Sequence, residues 1–248
     1  MCELAATHAS QEQWAEAAAC EEKILELRTN LSGDEHNDTL VAMDRLAVTH
    51  GIQERWVEAE ALERKIVEAR LKLQGHKHSD TLTAMDNLAA TYNEHGEWLE
   101  KEKLRKEILA TRSMWLGEDH PDTIRDMEEL AVSYWNQIYW EKAESLYARV
   151  MQARLRVLGE RHDDTLKAKA YLAVTCCNER RWDEAAELEL QVLEVRKSTL
   201  GEKHPSTLLA MANLASTRYR QGRSQDAEEL WARLKAASPR RRTRPPAF

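Results

Sequence analysis

The sequence predicts an all-α fold, a right-handed α-solenoid of stacked antiparallel helix hairpins, from three observations. A five-residue motif with histidine first and threonine fourth occurs five times, each copy 42 residues after the previous one. Helix-forming residues dominate, with only 8 Gly, 5 Pro and 1 Phe in 248 residues. Apolar residues recur at helical spacing between short polar breaks. The histidines of the motif are His36, His78, His120, His162 and His204.

The first helix of each repeat, helix A, follows the histidine. In the unit that begins at His36, apolar residues fall at helical spacing, and Asp38 and Thr39 carry side-chain oxygens that can cap the first turn. We therefore predict helix A over about residues 39–52 and expect the histidine to bond to the backbone at the turn. The apolar positions are Leu40, Met43, Leu46, Ala47 and His50.

The second helix, helix B, begins at a tryptophan and ends before a glycine. After a break at 53–55, an apolar stripe runs from Trp56 to Leu73, and Gly75 suits a left-handed helix stop because it has no Cβ. So short a connection makes the two helices antiparallel neighbours, and successive hairpins bury their stripes on each other. We expect the tryptophan column in the core.

The unbroken 42-residue phase predicts one domain. We assign residues 1–238 to a single array of about six hairpins, the first truncated, because Leu4-Ala5 aligns with Leu46-Ala47. Residues 239–248 are predicted to be a disordered basic tail, since its three prolines and four arginines oppose helix formation. No apolar stretch is long enough to cross a bilayer and the start lacks a signal peptide, so we expect a cytoplasmic protein with no membrane partner.

Charge and motifs exclude several functions. The net charge is -7, and without the four arginines of the tail it is -11 (-7 - 4), which disfavours a nucleic-acid groove. The five histidines belong to repeats that stack on the order of 10 Å apart, too far for shared metal ligation. No phosphate-binding loop, zinc-protease or nucleophile-elbow string is present. We therefore predict no enzyme activity, no cofactor and no metal site, and we expect reduced cysteines.

The repeat resembles a known family. Small residues at Ala47 and Ala59, the aromatic at Trp56 and the helix-turn-helix unit resemble the tetratricopeptide repeat, whose usual period is about 34 residues. The longer step and the phrase Leu200-Gly201-Glu202-Lys203-His204-Pro205-Ser206-Thr207-Leu208 resemble the kinesin-light-chain type. The run Met211-Ala212-Asn213-Leu214-Ala215 is also similar to repeat arrays that end many fungal NLR-like NTPases.

The candidate binding residues stand just before each Leu-Ala pair. The resemblance implies that helix A lines a concave groove and that an asparagine in this column clamps a partner's extended backbone, a role that carries over only to Asn87 and Asn213. The other residues vary between repeats, which suggests contacts specific to each side chain. The candidate residues are Asp44, Arg45, Asp86, Asn87, Glu128, Glu129, Tyr171 and Asn213.

The predicted function is a non-catalytic scaffold that binds a peptide or protein in this groove. Acids at Asp44, Asp86 and Glu128 favour a basic partner. One alternative is the sensor end of a larger NLR-like signalling NTPase, and another is a cargo adaptor of the kinesin-light-chain type. End-to-end self-association through the open N-terminal face is a third.

Overall fold

The computed structural model describes His8 and residues 11–237, and its regular structure there consists of eleven helices without a strand. The helices are α1 Trp14–Ser32, α2 Asn37–Ile52, α3 Trp56–Gln74, α4 Ser79–His95, α5 Trp98–Leu116, α6 Pro121–Asn136, α7 Trp140–Leu158, α8 Asp163–Asn178, α9 Trp182–Leu200, α10 Pro205–Arg220 and α11 Ser224–Ala237. No helix in this part of the chain is long and apolar enough to cross a membrane.

The helices group into two compact units, Met1–Gly117 with α1 to α5 and Glu118–Phe248 with α6 to α11. In each unit every helix packs on the next one in sequence, and the short connections make them antiparallel. The predicted hairpins are confirmed as α2–α3, α4–α5, α6–α7, α8–α9 and α10–α11. That one array runs through both units stays a prediction. The truncated helix A of the first hairpin, its open face and the tail at 239–248 lie outside the described residues.

Helix A begins with a histidine cap. In all five copies the histidine Nδ1 accepts a hydrogen bond of 3.2 Å from the backbone N–H two residues later. This confirms that the histidine bonds to the backbone, but the predicted capping role of Asp38 and Thr39 is wrong. The helix begins at Asn37, two residues earlier than predicted, so Thr39 is already inside the first turn and fully buried.

An arginine near the end of helix B joins successive hairpins. Arg28 donates from Nη1 to the backbone oxygen of Asp38 at 2.7 Å. Arg154 bonds in the same way to Asp164 at 3.1 Å, and Arg196 to Ser206 at 3.2 Å. The accepting carbonyl belongs each time to the second residue of the next helix A, so the arginine ties the end of one hairpin to the start of the next.

The core lies between the helices, and the tryptophan column is not fully part of it. Ile108, Met127 and Val150 are fully buried, whereas the tryptophans are only partly buried and Trp98 is 50% exposed. Lys101 stands where the other hairpins carry alanine, and its Nζ lies 5.6 Å from the centre of the Trp98 ring. The Trp98 ring thus lies beside a charged side chain and is half exposed, so the expectation of a buried tryptophan at position 98 is wrong.

Removing one histidine cap should weaken a helix start by about 1 kcal/mol, the usual value of an N-cap side chain. We expect His162→Ala to lower the free energy of unfolding by that amount, whereas His162→Asn retains an acceptor and should cost much less. Chemical denaturation of the two variants and the unaltered chain measures both. Equal losses in the two variants would show that the Nδ1 bond is not the cause.

Candidate functional site

The eight candidate residues lie on the partly exposed side of helix A. The Leu-Ala pair that follows them is buried in every complete repeat, while Arg45 and Tyr171 are exposed and the other six are half-buried. The first unit carries its set on α2 and α4, and the second carries its set on α6, α8 and α10. The structure therefore forms two candidate surfaces, one in each unit.

In the first unit the candidate residues are bound to one another and to helix B. Asn87 donates from Nδ2 to Oδ1 of Asp44 at 3.1 Å, which links α4 to α2. Asp86 accepts from Arg105 and Arg112 of α5, each at 2.7 Å. Both arginines are buried, so the Asp86 carboxylate accepts hydrogen bonds from two guanidinium groups inside the packed hairpin.

The second unit repeats this ion pair at Glu128. Arg154 of α7 donates to Glu128 Oε2 at 2.5 Å. Burial raises the pKa of Glu128, and the arginine opposes that rise. Asp86 and Glu128 thus hold helix B arginines, while Asp44 accepts from Asn87. That the three acids Asp44, Asp86 and Glu128 favour a basic partner stays a prediction.

Tyr171 is the most prominent of the candidate side chains. Its ring stacks on Tyr147 of α7, with centroids 5.5 Å apart and an interplanar angle of 20°. Tyr147 is buried, and this burial, followed by the nearby Tyr171 and Glu128, raises the pKa of Tyr147 to about 12. Tyr171 is 50% exposed, so one side of the ring is held in place while the rest faces solvent.

Asn213 takes the same repeat position on α10. Together with Ala170, Glu189 and Arg196 it lines a small cavity of about 10 Å³. Such a volume suits one water molecule. Ala170 stands where Asp86 and Glu128 carry a carboxylate, so Arg196 receives none from this position and pairs with Asp163 at 3.5 Å. The Nε of Arg196 has no hydrogen-bond partner.

A column of helix B residues that was not among the predicted site residues packs beneath the candidate residues. Glu63 and Glu189 are buried, and burial raises the pKa of each to about 7, while hydrogen bonds from Thr91 and Thr217 oppose the rise. Asp44 adds to the shift at Glu63. The signal was present, because an acid interrupts the apolar stripe at the same place in α3 and α9. The column comprises Glu21, Glu63, Arg105, Tyr147 and Glu189.

Within the described residues, no group of three or more His, Cys, Asp or Glu side chains lies close enough to hold a metal ion. Cys20, Cys176 and Cys177 are free thiols. Burial raises the pKa of Cys176 to about 11, which keeps this thiol protonated and unreactive near neutral pH.

Comparison with protein families matches nearly the whole chain to the tetratricopeptide repeat. One family model of that description matches residues 1–72 and 166–233, and a second matches 81–122 and 127–164. No curated protein matches the sequence. The likeness to NLR-like arrays is not shown by these matches and stays a prediction.

Solved structures share the fold. A putative kinesin light chain from Podosopora anserina with nearly identical TPR-like repeats is 26% identical, with a TM-score of 0.70 over 85% of this chain and 100% of that one. BtubC (BKLC) from P. vanneervenii is 18% identical, with a TM-score of 0.66 over 96% and 97%. A MamA protein is 10% identical, with a TM-score of 0.59 over 86% and 99%. The last two show the fold alone, and together the three confirm the predicted all-α solenoid class.

The two buried glutamates should make stability fall as pH rises. Each pKa is raised from 4.5 to about 7 in the folded chain, so the stabilising contribution is complete below about pH 4.5 and is lost as pH rises through about 7. The loss amounts to about 3 kcal/mol per residue well above pH 7. Glu63→Gln should flatten the dependence of unfolding free energy on pH, measured by urea denaturation.

The control for this experiment is Glu68→Gln, at an exposed position of the same helix. If Glu63→Gln and Glu68→Gln leave the same pH dependence, Glu63 does not titrate in the folded chain as described.

The Asp86 ion pairs should matter to stability much more than an exposed pair. Asp86→Asn removes the charged acceptor that Asp86 gives to the buried Arg105 and Arg112, and we expect a loss of about 3 kcal/mol. Asp119→Asn breaks a pair with Arg156 whose side chains are both about half exposed, and we expect a loss below about 1 kcal/mol. Thermal and chemical denaturation of the two variants compares these losses, and equal losses would contradict the packing role of Asp86.

Proposed function

The chain belongs to the tetratricopeptide repeat family, and from this premise we propose that it is a non-catalytic scaffold that holds a peptide or protein partner on the exposed side of its A helices. The fold supplies an interaction surface, since stacked hairpins present equivalent helices side by side. The observation that carries the proposal is the half-exposed ring of Tyr171, stacked on the buried ring of Tyr147.

The Tyr171 ring is prepared for contact. Its rotation is restricted by the stack on Tyr147, so ordering the ring on binding costs little conformational entropy. A tyrosine offers a large apolar area together with a hydroxyl, which is why such rings are frequent in protein interfaces. We therefore expect the partner to place an apolar or aromatic side chain against Tyr171.

The asparagines supply the polar part of the proposed surface. An amide side chain can donate and accept at once, so it fits the backbone of an extended peptide. Asn213 lies one repeat after Tyr171, on the neighbouring helix A. In the first unit Asn87 uses one donor on Asp44, and its remaining donor and its oxygen can serve a partner.

The proposed partner no longer needs to be basic. Asp86 and Glu128 are paired with arginines of helix B, and the exposed Arg45 adds a positive charge next to Asp44 on α2. Specificity is proposed to come from the differing residues of the column, above all Tyr171 and Asn213.

The double variant Tyr171→Ala/Asn213→Ala tests this surface. We expect the purified chain to recover a partner from native cell extract, and the variant to bind that partner about 10-fold to 100-fold more weakly, as loss of a central aromatic usually does. Recovery followed by mass spectrometry identifies the partner, and calorimetry then measures its affinity.

Glu187→Ala, at an exposed position of α9, is the matched control and should bind as the unaltered chain does. Circular dichroism should show the same helix content for all three chains. Undiminished affinity of the double variant would reject the A-helix surface.

A second candidate function is a cargo adaptor of the kinesin-light-chain type. It is favoured by the 26% identity and TM-score of 0.70 to a putative kinesin light chain. A photo-reactive amino acid at position 171 in the cell would capture the bound protein. Capture of a transported cargo or a motor subunit supports an adaptor, and capture of other proteins alone argues against it.

A further inference from the structure

The turn between α6 and α7 differs from the equivalent turns of the other hairpins. Its two central residues are Ile138 and Tyr139, an aliphatic and an aromatic residue. At the same two places the other described turns carry charged or polar residues or glycine. These pairs are Glu12-Gln13, Glu54-Arg55, Gly96-Glu97, Arg180-Arg181 and Gly222-Arg223.

Ile138 occupies a strained and exposed position. Its φ is +66°, in the left-handed region that a β-branched residue rarely adopts, and glycine takes this position in two of the other turns. The side chain is 68% exposed, so the strain is not offset by burial, and Tyr139 beside it is 48% exposed. Glu54 and Arg180 take the same position with φ of 60° and 62°, so the backbone conformation is common to these turns. What distinguishes this turn is that two large apolar side chains are exposed side by side, which favours a contact outside the fold.

The neighbouring aromatic rings hold the turn in place. Tyr139 meets Tyr134 edge to face with ring centres 6.3 Å apart, and Lys142 Nζ lies 4.5 Å from the centre of the Tyr139 ring. Trp135 and Trp140 form a second such pair at 5.4 Å. Aromatic side chains of α6 and α7 therefore pack next to Ile138 and Tyr139.

An open cavity of about 780 Å³ lies beside the turn, within the usual size range of ligand sites. Ile138, Tyr139 and Trp140 form its apolar side. Its other lining residues are Glu141, Lys142, Glu144, Glu179 and Arg181.

The charge left free at this cavity is negative. Arg181 is already bound by Glu144 at 2.6 Å, by Glu179 at 3.1 Å and by Glu184. The other cation, Lys142, lies over the Tyr134 and Tyr139 rings. Glu141 is exposed and forms no ion pair with the residues that the structure describes. Three carboxylates thus line the cavity beside two cations, Lys142 and Arg181, and both cations are engaged.

We propose that this cavity is a second docking site, separate from the A-helix surface, for an extended peptide segment that places an apolar side chain on Ile138 and Tyr139 and an adjacent Lys or Arg at Glu141. The apolar contact would bury surface that the turn exposes at a cost. The carboxylates select a basic neighbour and disfavour an acidic one.

Selection from a displayed library of random peptides on the full chain tests the proposal. Counter-selection uses Ile138→Gly/Tyr139→Glu, which copies the Gly96-Glu97 turn and keeps the cavity acidic. We expect the peptides specific to the unaltered chain to share an apolar residue next to Lys or Arg. Peptides that are acidic, or that bind both chains equally, would overturn the proposal.

Affinity measurements on a selected peptide distinguish its apolar contact with Ile138 and Tyr139 from its charged contact with Glu141. We expect Kd to rise at least about 10-fold in Ile138→Gly/Tyr139→Glu, and several-fold in Glu141→Gln with a weaker dependence on salt. Glu54→Gly/Arg55→Glu, the same change at the α2–α3 turn, and Tyr171→Ala should leave Kd unchanged. Loss of binding in Tyr171→Ala would assign the peptide to the A-helix surface and overturn a separate site.

The single variant Ile138→Gly guards against a folding artefact. Because glycine relieves the left-handed strain, the variant should melt at a higher temperature while binding the peptide more weakly. A lower melting temperature would show that Ile138 packs within the fold, and would overturn its assignment as a docking residue.

Discussion

Within each unit, the structure depends on an arginine of helix B that reaches the first turn of the following helix A. The acceptor is a main-chain carbonyl, so the bond does not require a particular side chain at that place. The histidine two residues earlier holds this residue in position by accepting a hydrogen bond from its backbone N–H. A planar guanidinium carries five N–H donors, so several remain after this bond. A neighbouring carboxylate on helix A can accept from them.

The residue two places before the Leu-Ala pair decides how the spare donors are used. Asp86 and Glu128 accept them and become part of the packing. At Ala170 no carboxylate is present, and a small cavity appears between Arg196 and Asn213. The polar residues on the partly exposed face of helix A therefore form two groups. One group bonds to a neighbouring helix, and the other is available to bind a partner. Tyr171 belongs to the second group because Tyr147 has replaced the acid of helix B beneath it.

Much of the fold could be predicted because the constant 42-residue spacing of equivalent residues identifies the repeat directly. The predicted helix limits near His36, Trp56 and Gly75 rested on local sequence signals. Of these limits, only the start of helix A differs in the structure, where it lies two residues earlier. The site was harder to predict. Asp86 meets its two arginines across 19 and 26 residues, as the sequence separations show. No local pattern distinguishes such an acid from a free one. The half-exposed Trp98 likewise lies next to Lys101 three residues along its helix. The pKa values of the buried Glu63 and Glu189 depend on hydrogen bonds with threonines of the next helix.

The most direct test of the arginine junction is hydrogen exchange of Arg154→Ala against the unaltered chain. Arg154 ties α7 to Asp164 at the start of α8 and to Glu128 of α6. Since repeats contact only their neighbours, we expect faster exchange at the end of α7 and the start of α8, with α10 and α11 unchanged. A uniform increase across the whole unit, or no increase at the α7–α8 junction, would contradict this expectation.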